Sequence, residues 1–202
     1  MNTRTELRKM VRSRRQELTA QQQKIASAHV KQNLITNNNI INARRIATYL
    51  SNDSELDILS FIHWCWQQNK EVYLPVLHPF STGHLLFLRY KKNTPMTKNK
   101  YGILEPVLDV SQVCPLNQLD VLFTPLVAFD SSGTRLGMGG GFYDRTMANW
   151  YKEKKAGTTH VKTIKFHAIG LAHDCQQVDK IPTEIWDIPL AEIITPSKNY
   201  YF

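Results

Sequence analysis

The chain has 202 residues and a formal charge of +8, with 25 basic against 17 acidic side chains and 42% hydrophobic residues. That length fits a single domain over residues 1–202 with a sizeable core, no apolar run is long enough to cross a bilayer as a helix, and the basic N-terminus lacks the apolar stretch of a secretory signal. Cys65, Cys114 and Cys175 have no paired short spacing, so neither a disulfide framework nor a zinc site is predicted, which fits a reducing cytoplasm.

Leu7, Val11 and Leu18 recur at helical spacing, and residues 3–34 read as a long helix or a helix with one break. Thr19 followed by Gln22 has the form of a capping box that would start the second part. Asn37 to Asn39 mark a loop, and RRIATYLSN reads as a strand. Residues 55–68 read as a helix, with Leu56, Leu59, Ile62 and Trp66 three or four apart, and with Phe61, Trp64 and Trp66 as core candidates. EVYLPVL is a strand. GHLLFLRY and YGILEP form a further strand pair, joined by the basic KKNTPMTKNK loop. DVLFTPLVAFD is a hydrophobic strand-like run, and residues 142–155 have helical spacing. AGTTHVK is a connection, KFHAIGLAH a strand, and IPTEIWDIPLAEIITP a proline-limited turn with an edge strand. This alternation predicts an α/β fold of three layers, with helices on both faces of a mostly parallel or mixed sheet. In such sheets ligands settle outside the carboxyl ends of the strands, where the DVLFTP strand would release the segment that follows it.

That segment, RLGMGGGFYDR at 135–145, holds four of the chain's nine glycines. Glycine takes positive φ without a Cβ clash, so the backbone here is expected to bend sharply or to approach something closely. A strand, a glycine turn and a helix start can turn successive amides and the positive end of a helix dipole toward a phosphate. Arg135, Tyr143, Asp144 and Arg145 add charge and hydrogen-bonding groups. No lysine followed by a hydroxyl residue closes the glycines, so this is not a P-loop, and the match to GxGxxG is loose. Two readings stay open on the residues alone: a phosphate or nucleotide site, and a tight connection between helix and sheet. The cluster Arg8, Lys9, Arg12, Arg14, Arg15 invites a nucleic-acid reading, but no recognition-helix or zinc-finger spacing accompanies it. A basic field equally attracts a polyanionic small molecule, and neither nucleic acid nor a membrane is the expected partner.

Taken together, the chain resembles the 5-formyltetrahydrofolate cyclo-ligase family, the 5,10-methenyltetrahydrofolate synthetases, along nearly its whole length. The resemblance rests on Leu7-Arg8 in a basic N-terminal helix, YLSNDSELD, VYLPVL, YGILEP, the long block LDVLFTPLVAFDSSGTRLGMGGGFYDR, and WDIPL followed by ITP. It implies an enzyme that uses ATP and Mg2+ to close 5-formyltetrahydrofolate into 5,10-methenyltetrahydrofolate, releasing ADP and phosphate. Phosphorylation of the formyl oxygen would convert a poor leaving group into phosphate, and the nitrogen at position 10 would attack the same carbon. Alignment and charge neutralisation are then the enzyme's task.

The resemblance also implies roles. Arg4, Arg8, Arg135, Gly137, Met138, Gly139, Gly140, Gly141, Phe142 and Tyr143 would bind the nucleotide, with Arg135, Tyr143 and Arg145 as the catalytic groups. Arg4 stands where many relatives have lysine, and Met138 and Gly140 stand where some carry basic residues, which places more weight on Arg135 and Arg145. Leu50, Glu55, Phe142, Tyr143 and Trp186 would bind folate, Glu55 by accepting two hydrogen bonds from the pterin. Asp144 and Asp187 would serve magnesium. Read without the family, Arg8 is a solvated helix residue, Arg145 a first-turn surface residue or ion-pair partner, Asp144 a dipole-stabilised carboxylate and Glu55 a residue near a helix start. His167 and His173 flank a strand without triad spacing and receive no catalytic role. Arg8 and Asp187 are expected beside the 137–141 loop, in a cytoplasmic monomer.

Overall fold

A computed structural model describes residues 3–156 and 166–202; the AGTTHVK connection, apart from its first residue, lies outside them. Side-chain caps set where the first helices begin. In α1 (Arg4–Gln16) the Thr3 hydroxyl accepts from the Glu6 amide while the Glu6 carboxylate accepts from the Thr3 amide. Thr19 and Gln22 repeat the arrangement in α2 (Ala20–Ile35), so the 3–34 region is a helix with one break. Asn37 to Asn39 are not a loop. The Asn37 side chain accepts from the amides of Asn39 and Ile40 and starts a short helix, α3 (Asn38–Asn42).

β1 (Arg45–Ala47) is shorter than the apolar run suggests. α4 (Leu59–Gln67) starts four residues later than its spacing predicts, because Asp53 and Ser54 take left-handed φ values of 49° and 58° and Asp57 caps the Leu59 amide. β2 (Glu71–Leu77) pairs antiparallel with β3 (Leu85–Tyr90). The YGILEP segment does not join β3. The basic loop contains its own strand, β4 (Met96–Lys98), which pairs with β5 (Leu104–Pro106) as a separate ribbon. β6 (Val113–Cys114) and β7 (Val121–Pro125) follow, and then a small hairpin of β8 (Ala128–Phe129) and β9 (Arg135–Leu136). α5 (Phe142–Ala156), β10 (His167–Leu171), β11 (Glu192–Ile194) and β12 (Asn199–Tyr201) complete the order. β11 lies inside the sheet, since β12 takes the edge.

The main sheet has eight strands in the order β12-β11-β10-β7-β1-β2-β3-β6. Strands β11, β10, β7, β1 and β2 run parallel, and the flanking pairs are antiparallel. Alternate residues along each strand face opposite sides. Ile46, Val72, Phe123 and Ile169 pack under α2, α3 and α4, whereas Ala47, Tyr73, Leu122 and Ala168 share a second core with Met147 of α5. The fold is therefore α/β with helices on both faces. A third cluster seats Leu7 and Val11 of α1 against Ala128 and Leu136 of the hairpin. That contact carries α1 to the end of the sheet where β1, β2 and β7 terminate.

Candidate active site

A cavity of about 510 Å³ opens at that end, within the range typical of small-molecule sites. Leu50 and Glu55 reach it from the segment after β1, Pro75 and Leu77 from the end of β2, and Pro125 from the end of β7. The 137–141 loop forms the opposite wall, and Phe142 and Tyr143 line the cavity where α5 begins. The glycine loop does not leave β7 directly as the sequence suggests. The β8–β9 hairpin intervenes, with Asp130 accepting from the amides of Ser132, Thr134 and Ile181 to fix its turn. Within the loop, Gly139 and Gly141 have φ of 102° and 63°, a region that other residues enter only with strain.

The charged groups beside this loop form an ordered cluster. Arg135 is buried on β9, and its Nη2 donates to Asp144 Oδ1 at 2.7 Å. Asp144, in the first turn of α5, also accepts from the Ile188 amide. Arg4 makes a two-pronged pair with Asp187, at 2.5 and 3.1 Å. Burial opposes the ionisation of Asp187, but the hydrogen bonds from Arg4 and the Glu184 amide, together with the charges of Arg4 and Arg135, outweigh it and hold this carboxyl below its ordinary range. Arg8 donates through Nε to Gly137 O at 2.8 Å, and its guanidinium lies beside Gly139. Among the described residues its two Nη atoms have no partner. Burial, followed by repulsion from Arg4, lowers the proton affinity of Arg8.

The other wall is weakly solvated. Burial pushes the Glu55 carboxyl up to about 7, against the hydrogen bond it accepts from the Asn52 amide and the charge of Arg15. Burial, together with the charge of Glu55, raises the Tyr143 phenol above its ordinary value. Leu50 and Phe142 supply apolar surface nearby, and the Tyr101 ring meets Phe142 edge-on at 6.0 Å.

The structure thus brings Leu50, Glu55, Arg135, Gly137, Met138, Gly140, Gly141, Phe142, Tyr143 and Asp144 to one cavity. Gly139 and Arg8 stand at its loop wall, and the Arg4–Asp187 pair lies within electrostatic reach of Arg8. Two expected residues are placed differently. Trp186 is 63% exposed and does not line the cavity. Arg145 turns back onto the protein, donating to the carbonyls of Gly83 and Gly140. His173 is buried away from the cavity, and burial lowers its imidazole to about 4, leaving it neutral at ordinary pH.

Sequence reasoning missed the wall contributed by the β4–β5 ribbon, where Asn99, Tyr101, Ile103 and Leu104 border the cavity. Glu105 anchors that ribbon by accepting from the Leu77 amide and from Asn99 Nδ2. The available signal was Tyr101 beside Gly102, directly after the basic 91–100 stretch.

Comparison with known proteins identifies the family. The model of the 5-formyltetrahydrofolate cyclo-ligase family matches residues 1–196. The chain belongs to that family, and by that membership it is an enzyme of the cyclo-ligase class. A 5-formyltetrahydrofolate cyclo-ligase of Haemophilus influenzae is 50% identical over 196 residues, covering 96% of this chain and 99% of the relative. The Escherichia coli K12 enzyme of the same name is 50% identical over 189 residues, covering 94% and 98%. The NMR structure of Aquifex aeolicus 5,10-methenyltetrahydrofolate synthetase superposes with a TM-score of 0.78 at 26% identity, covering 98% of this chain and 92% of that one.

A magnesium ion implied by the family can be tested against the donors present. Among the described residues no group of three or more His, Cys, Asp or Glu side chains forms a cage. Asp144 and Asp187 offer hard oxygens but already hold guanidinium groups. This set fits an ion that arrives on phosphates and keeps its waters, and not one enclosed by protein ligands.

Proposed function

We propose that the protein closes 5-formyltetrahydrofolate into 5,10-methenyltetrahydrofolate at the expense of ATP, with magnesium, releasing ADP and phosphate. The observation that carries this reading is a single cavity with a poorly solvated carboxyl and phenol on one side and a glycine loop flanked by Arg8 and Arg135 on the other.

Glu55 accepts the N–H pair of the pterin edge, a pairing that an ionised carboxylate suits. Leu50 and Phe142 pack against the flat ring, and Tyr143 stands between the folate and phosphate ends. The amides of residues 137–141 and the start of α5 face the phosphates. Arg8 contributes charge from α1, while Arg135 holds Asp144 and neutralises charge that develops nearby. Arg145 acts on the loop by fastening its Gly140 carbonyl. Asp144 and Asp187 would hold a magnesium ion through its waters, and Arg4 holds Asp187. ATP supplies the phosphoryl group that makes the formyl oxygen a good leaving group, and magnesium offsets phosphate charge. No protein nucleophile is needed.

On this reading the protein acts as a monomer. Unpaired cysteines and the lack of any helix able to cross a membrane among the described residues support placement in the cytoplasm. The test follows the absorbance of the methenyl product. It should rise only when 5-formyltetrahydrofolate, ATP and magnesium are all present, and turnover without nucleotide would refute the mechanism.

A further inference from the structure

Helix α1 meets both ends of the cavity through one row of arginines. Arg4, Arg8, Arg12 and Arg15 are spaced by four, four and three residues, which places them along one face of the helix. The N-terminal members serve the glycine-loop end, through Asp187 and Gly137. The C-terminal members reach a different segment. Arg12 Nε and Arg15 Nη2 each donate to Asp53 Oδ2 at 2.8 Å, and Gln16 Nε2 donates to Asp53 Oδ1 at 2.8 Å.

Two features show that this clamp holds something the chain does not adopt by itself. Asp53 and Ser54 are consecutive non-glycine residues with left-handed φ, a state that persists only where the surroundings enforce it. Arg15 is also buried to 1% exposure, and its Nε and Nη1 have no hydrogen-bond partner. Burying a guanidinium with two nitrogens unpaired stabilises a fold poorly, so its pairing with Asp53 serves something besides packing. The residue after the strained pair is Glu55, whose carboxyl borders the cavity and is tied back to the Asn52 amide.

We propose that Arg12, Arg15 and Asp53 are positioning residues that fix Glu55 for its substrate, with α1 as the strut between the glycine loop and the Glu55 loop. This rests on the folate reading of the cavity. Asp53 borders the cavity whereas Arg12 and Arg15 do not, so a change at Arg12 reports positioning without a lost substrate contact.

The experiment compares Asp53→Asn and Arg12→Gln with the wild type. It measures melting temperature, kcat, KM for 5-formyltetrahydrofolate, and the affinity for ATP with magnesium by titration calorimetry. Loss of charge-assisted bonds in the clamp should raise the folate KM roughly tenfold in Asp53→Asn and about threefold in Arg12→Gln, with kcat and ATP affinity within about twofold of wild type. A lower melting temperature with unchanged folate KM in both variants would make the clamp merely structural and overturn the proposal. If Asp53→Asn does not fold, Arg12→Gln decides by the same criterion, since Arg12 is partly exposed and Asp53 keeps Arg15. Wild-type protein that neither binds nor converts 5-formyltetrahydrofolate would instead overturn the functional reading, and the clamp with it.

Discussion

In Glu55→Gln an acid whose ionisation the fold resists is replaced by a neutral amide of nearly the same shape. Burial lifts the Glu55 carboxyl from an ordinary 4.5 to about 7. The folded state therefore holds this proton more tightly than the unfolded chain does. Its favourable effect on stability is complete below about pH 4.5 and is lost as pH rises toward 7, where the charge must be carried in a poorly solvated place. At about 1.4 kcal/mol per pH unit the ionised group costs the free protein up to roughly 3 kcal/mol, and partial solvent access trims that to about 1–2 kcal/mol. Glutamine removes the penalty and keeps an acceptor for the Asn52 amide. At pH 8 the variant should melt about 3–6 °C above wild type, while near pH 4.5 the two should coincide. Folate binding should move the other way, because the amide N–H₂ faces a pterin donor. Losing that charge-assisted bond costs about 1.5–3 kcal/mol, or tenfold and more in affinity. Thermal melts across pH and calorimetric titration with 5-formyltetrahydrofolate and ATP separate the effects. A melting difference that stays flat with pH would refute the burial argument. Unchanged folate affinity, or a loss confined to ATP, would refute the assignment of Glu55 to the folate end.

Arg8→Ala should raise the KM for ATP by about tenfold or more, leaving folate affinity nearly unchanged, as expected for a lost cation at the phosphates; steady-state kinetics against each substrate checks it. Asp144→Asn leaves the buried Arg135 facing a neutral partner and should destabilise the protein by about 2–3 kcal/mol in urea unfolding. In the rate assay it should also raise the magnesium concentration needed for half-maximal turnover. Met138→Lys adds a cation at a half-exposed position on the cavity wall, and a magnesium titration should show a lower requirement; an unchanged requirement would place residue 138 away from the phosphates.

The α/β architecture was legible because strand alternation and helix periodicity are local properties. The Thr19–Gln22 capping box marked the start of α2 to the residue. The 135–145 block was legible for a similar reason: clustered glycine is costly unless a backbone needs it. What stayed hidden depends on long-range contacts. The delayed start of α4 follows from the left-handed pair at Asp53 and Ser54, which residues of α1 hold in place across about forty positions of sequence. The β4–β5 ribbon was hidden because β4 lies in a polar, lysine-rich stretch without strand-like alternation, and only its partner and the Glu105 anchor make it a wall. Trp186 is the opposite case. The Trp of WDIPL invites a stacking role, but its neighbour Asp187 faces Arg4 and the ring is 63% exposed in the free protein.

The +8 charge acquires a specific meaning once partners are counted around the glycine loop. Arg4 is committed to Asp187, Arg135 to Asp144, and Arg145 to two backbone carbonyls. Among the described residues of this cluster, Arg8 keeps both terminal nitrogens without a partner and Arg145 keeps one, Nη1, beside Gly141. A polyphosphate placed against the loop would meet the open nitrogens of Arg8 and Arg145, the backbone amides and a helix dipole worth roughly half a charge. That is too little positive charge for a nucleoside triphosphate in a partly desolvated site. The remaining compensation has to arrive with the ligand, which is the role a phosphate-bound magnesium ion fills. Two carboxylates already balanced by arginines are then suited to hold the metal's waters, because they add an orienting acceptor without a large uncompensated negative charge beside the phosphates. The arginine–aspartate pairs and the proposed need for magnesium are, on this argument, two sides of one electrostatic arrangement.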